Sequence, residues 1–149
     1  MDKRIAHNLT WGPLLLIGIT LNILGIVLCI HKEPWLLNQI PNEVLLQTSF
    51  NILLSEKINI GLPLFLITIY RFFGLWILTT GSIVICYVYV TRMGTKVARN
   101  YIFLILSVTF IAIYYLTFSY LPSSALMLIL YFLTLCLVVS VFCSKYLPD

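Results

Sequence analysis

INIGLPLFLITIYRFFGLWILTTGSIVICYVYVT, residues 58–91, decides the architecture. Spanning a hydrocarbon core about 30 Å thick takes roughly 20 mostly apolar residues in a helix. This stretch exceeds that length, and its one charged residue is Arg71. A lone cation inside such a run is costly, which makes Arg71 the first candidate contact for a ligand or partner.

The rest of the chain reads the same way. Its 149 residues are 61% hydrophobic and 9% charged, against about 25% charged in soluble domains, so too little polar side chain exists to coat a water-facing surface. Two further blocks, 9–30 and 100–143, are almost free of charge. The second is about twice one span and has Pro122-Ser123-Ser124 at its centre. Proline removes a backbone donor and biases the preceding residue away from helix. The expected fold is therefore all-α, a single four-helix transmembrane domain over 1–149 with helices at about 9–30, 62–91, 100–121 and 123–143. The basic start before residue 9 resembles a signal peptide, but an apolar run of about 22 residues exceeds the usual 7–15, so the first helix is expected to stay uncleaved.

Four spans put the N-terminus, the 92–99 turn and the C-terminus on one side, with Lys3, Arg4, Arg92, Lys96, Arg99 and Lys145. The other side has only Lys32 and Lys57. The positive-inside rule then predicts cytoplasmic termini in a multi-pass protein of the inner or plasma membrane, or of an organellar equivalent. Topology accounts for the net charge of +4 without a nucleic-acid partner. The same basic turn is also attractive to anionic lipid heads.

Within the loop at 31–61, Glu43, Gln47, Asn51 and Ser55 recur every fourth residue, opposite Leu45, Leu46, Phe50, Ile52 and Leu53. That pattern predicts an amphipathic helix over 42–57, N-capped by Asn42 and lying in the headgroup zone. In the first span, Gly18, Asn22, Gly25 and Cys29 share one narrow face. Gly74 and Gly81 have the same seven-residue separation in the second. Small residues permit the close backbone approach that drives helix association in lipid, so these two helices are expected to pack together. Asn22 should find a partner across that interface, and Arg71, near the glycine face, is expected to point into the bundle.

Tyr114 and Tyr115 lie deep in the third span, where buried phenols seek partners, and they are candidate contacts for an amphiphile. The four cysteines lack C-x-x-C spacing and read as small packers. His7 and His31 stand about 36 Å apart along a helix, too far to share a metal. No span contains an acidic residue, which removes the usual proton relay of a pump. Neither a nucleophile elbow nor a phosphate loop is present. The expectation is a non-enzyme without cofactor or metal, its partners being membrane lipids and either other membrane subunits or further copies of itself. The first functional reading is an accessory or structural subunit of a larger membrane complex. The alternative is a lipid or amphiphile carrier in which Arg71 meets the head group beneath a 42–57 lid.

Overall fold

A computed structural model describes residues 2–121 and 124–147. It is all-helical, with no strand among the described residues. The order is α1 (Lys3–Ile30), a 3-10 turn (Pro34–Asn38), α2 (Gln39–Leu46), α3 (Phe50–Ser55), a second 3-10 turn (Lys57–Asn59), α4 (Leu62–Thr91), α5 (Lys96–Tyr120) and α6 (Leu126–Ser144). Helices α1, α4, α5 and α6 are long and apolar enough to cross a membrane.

Local chemistry sets the ends. Helix α1 begins six residues before its apolar block because the Asp2 carboxylate accepts from the Arg4 amide at 3.0 Å, supplying a cap that the hydropathy pattern does not reveal. Thr95 caps α5 in the same way, accepting from the Ala98 amide, so that helix starts at Lys96 rather than near 100. Pro63 sits in the first turn of α4, where a missing N–H costs nothing. Of the expected Pro122-Ser123-Ser124 break, Pro122 and Ser123 lie outside the described residues.

Helix α1 is the centre of the assembly, with α4 on one flank and α6 on the other. The α1/α4 contact is antiparallel and backbone to backbone. A methyl group built on Gly25 would stand 2.6 Å from the Gly74 carbonyl oxygen, and one on Gly74 would stand 2.8 Å from that of Gly25. Gly18 and Gly81 repeat the arrangement two turns away, at 2.9 and 2.7 Å. Between these pairs the Ser82 hydroxyl donates to Asn22 Oδ1 at 3.4 Å. On the opposite flank the Ser140 hydroxyl donates to the Thr10 carbonyl. Leu14 and Ile17, fully buried, join Val84, Val88, Ile102 and Leu133 in one core.

That core lies toward the end of the bundle where α1 and α5 begin and α4 and α6 finish. The Tyr87 hydroxyl ties α4 to α5 there by donating to the Ala98 carbonyl at 2.9 Å. Lys3, Arg4, Arg92, Lys96, Arg99 and Lys145 belong to this end, and Lys32 and Lys57 to the other.

The connection from α1 to α4 corrects one expectation. Instead of one helix over 42–57 there are two short ones, α2 and α3, separated where Gln47 turns left-handed (φ 55°). The cause is a tertiary cap. Glu43 Oε1 accepts from both Gln39 Nε2 and the Phe50 amide, each at 2.9 Å, which pulls the start of α3 back over α2. Asn42 lies inside α2 rather than capping it, and its amide donates to the Trp35 carbonyl and to the Tyr70 hydroxyl. Trp35 and Phe50 are buried against each other, ring centres 6.4 Å apart.

Candidate functional site

Arg71 stands beside the last turn of α1, where the Cys29 thiol donates to the Arg71 carbonyl at 3.5 Å. Its side chain is exposed, which overturns the expectation that it faces the bundle. The reason is angular. Three residues turn a helix by about 300°, so Arg71 lies about 60° off Gly74, and that is enough to leave the buried seam. Among the described residues its guanidinium makes neither a hydrogen bond nor an ion pair. The carboxylate of Glu43 in α2 is engaged by Gln39 and Phe50. Those two donors, Gln39 first, hold the Glu43 carboxyl below its ordinary 4.5.

Asn22, Gly18, Gly25, Gly74 and Gly81 all lie in the α1/α4 seam. They serve contact between helices. The two tyrosines part company. Tyr115 is 68% exposed on the outside of α5. Tyr114 turns toward α6, its hydroxyl 3.0 Å from Thr134 Oγ1 and its ring stacked on Phe118 at 5.9 Å.

Tyr114 closes the deep end of a groove in the fold. This groove, of about 470 Å³, runs between α5 and α6 along Ser107, Phe110, Leu137 and Val138 to Lys145. Val141 and Lys145 also wall a second, more polar recess of about 360 Å³, completed by Lys96, Arg99 and Asn100. An apolar trough thus opens onto three cations. Arg99, 2% exposed, is set rigidly, since its Nη1 donates to the carbonyls of Met93 and Gly94 at 3.2 and 3.3 Å. These bonds hold the turn into α5, where Arg92 and Met93 both adopt positive φ.

A separate cleft of about 340 Å³ lies between α4 and α5, walled by Trp76, Ile83, Ile105 and Ile113 and floored by Leu21 of α1 and Leu133 of α6. Its walls are almost wholly apolar. No known family, curated protein or solved structure matches the chain.

The basic recess is the part that sequence reading missed. Lys96 and Arg99 are legible as one face of a helix start by their three-residue spacing. Lys145, however, joins them only through the α5/α6 contact. Among the described residues, no three of His, Cys, Asp and Glu gather closely enough to hold a metal ion.

Proposed function

We propose that the protein is a multi-pass membrane protein with cytoplasmic termini that works as a non-catalytic accessory subunit of a larger membrane complex. The observation that carries this reading is the α4/α5 cleft. Protein interiors are packed as densely as organic crystals, yet α4 and α5 meet at the basic turn and then stand apart, with large side chains such as Trp76 and Ile105 facing the gap. A helix from a partner subunit completes the packing there. In lipid, such completion gains dispersion contacts that fluid acyl chains supply less well. The asymmetry of cations between the two ends supports the orientation.

Gentle extraction from the native membrane followed by native mass spectrometry tests the proposal. A defined mass step from another polypeptide is expected, and cysteines placed at Ile83 and Ile105 should cross-link to it. A chain that emerges alone, with neither cysteine forming a cross-link, would overturn the reading.

The carrier alternative built on Arg71 draws less support. The expected lid is two short helices tied down by Glu43 and Asn42, and Arg71 is not set in the seam. At about 10 Å from a span centre near Leu78, counted at 1.5 Å per residue, its side chain reaches the head-group zone by snorkelling.

A further inference from the structure

One polar side chain at the middle of the fold is only half satisfied. Asn22 Oδ1 accepts from the Ser82 hydroxyl, but among the described residues Asn22 Nδ2 donates to nothing, and the side chain is half-buried rather than sealed in the seam. We propose that the face of α1 and α4 around Asn22 is a contact between two copies of this chain, in which each Asn22 Nδ2 donates to the Oδ1 of the other.

Depth makes the unused donor costly. Gly25 meets Gly74 in the antiparallel seam, so Asn22, three residues earlier, is level with Ile77, beside the span centre near Leu78. Water does not reach that depth. Lipid carbonyls, at the edge of a hydrocarbon core about 30 Å thick, stand about 15 Å away. The acceptor has to come from another polypeptide.

The chemistry of the amide says which polypeptide. Two chains inserted in the same sense are related by a twofold axis along the membrane normal, and such an interface sets one patch against itself. An amide is self-complementary. Its oxygen keeps a second lone pair beyond the one that Ser82 uses, and its nitrogen carries two protons. The surface around it is apolar. Ile19 and Ile26 each follow a seam glycine by one residue, which turns them about 100° from the seam onto the side of Asn22, and Leu75 follows Gly74 in the same way on α4. All three are exposed. Isoleucine is stiff at χ1, so little side-chain freedom is lost when the second copy arrives.

This contact goes beyond the accessory-subunit reading and is separate from the α4/α5 cleft. Thr80, which lines the cleft, is two residues and so about 200° from Ser82 around α4. One chain can therefore hold a partner subunit and a second copy at once.

Energy transfer between donor- and acceptor-tagged copies of the purified full chain, in vesicles of dioleoyl phosphatidylcholine, tests the contact with no other subunit present. The expected signal falls as lipid dilutes the copies and is linear in the acceptor fraction, as a pair requires. Asn22→Ala should weaken self-association about tenfold, equivalent to about 1.4 kcal/mol. Ile26→Trp, at an exposed position outside the seam, should weaken it too, and Leu104→Trp on the exposed side of α5 should not. Ser82→Ala separates the proposed contact from the seam, because it breaks the bond within the chain and leaves the pairing amide in place. Association should persist in that variant. Transfer in the parent chain no greater than chance proximity gives, an equal loss from Ser82→Ala and Asn22→Ala, or no loss from either Asn22→Ala or Ile26→Trp would overturn the proposal.

Discussion

At the scale of single residues, the firmest feature is the pair of backbone contacts between α1 and α4. Gly25→Ala sets a methyl group against backbone on the facing helix, the Gly74 carbonyl and the Leu78 amide, both at 2.6 Å. The helices must separate, and a loss of about 1–3 kcal/mol is expected from such overpacking. Gly12 is the control, because nothing lies within 4 Å of a methyl group built there. Gly12→Ala should gain up to about 1 kcal/mol of helix propensity. Reversible unfolding in mixed micelles measures both, and equal effects would refute the interlock. The seven-residue glycine spacing made this seam legible beforehand, since close approach needs only the periodicity of two helices. The direction of Arg71 was not legible. A 60° error is invisible in spacing and decides whether a side chain enters a seam or leaves it.

Among elements, the cap over the far end is governed by one carboxylate. Glu43 is held below its ordinary 4.5 in the folded chain by Gln39 and the Phe50 amide. A depressed folded value means the charged form is the one the fold prefers. Its contribution is therefore complete above 4.5 and is lost as pH falls through the lower folded value. Limited proteolysis at Gln47–Ser49 should accelerate in that acid window in the parent chain. Glu43→Gln should be cut faster at neutral pH, with little further response to acid. The break between α2 and α3 escaped a reading by periodicity because the polar repeat continues straight through Gln47. What ends α2 is a side chain bonding forward to Phe50, a tertiary event. The basic turn offers a second test. Arg92 caps α4 at φ 47°, a conformation that costs a residue with a Cβ about 1–2 kcal/mol. Arg92→Gly should raise the unfolding free energy by up to about 1 kcal/mol.

For the whole molecule, the four long helices were readable from hydropathy and length alone, down to the bounds of α4, which Pro63 and the basic turn punctuate. Their lateral order was not. Beyond the α1/α4 seam, nothing along the chain announces that α6 takes the other flank of α1 or that α4 and α5, neighbours in sequence, diverge. Both grooves are products of that order, and so is the meeting of Lys145 with Lys96 and Arg99.

The same order has a consequence for how the protein is made. Ribosomes work from the N-terminus at about 5–20 residues per second, and α6, whose Ser140 closes on Thr10, emerges after α1, α4 and α5. Until α6 emerges, α1 has at most one flank served, by α4, and the other bare, with Leu14 and Ile17 lacking their final neighbours. A nascent chain halted before Leu126 is thus an unfinished sandwich around its own oldest segment.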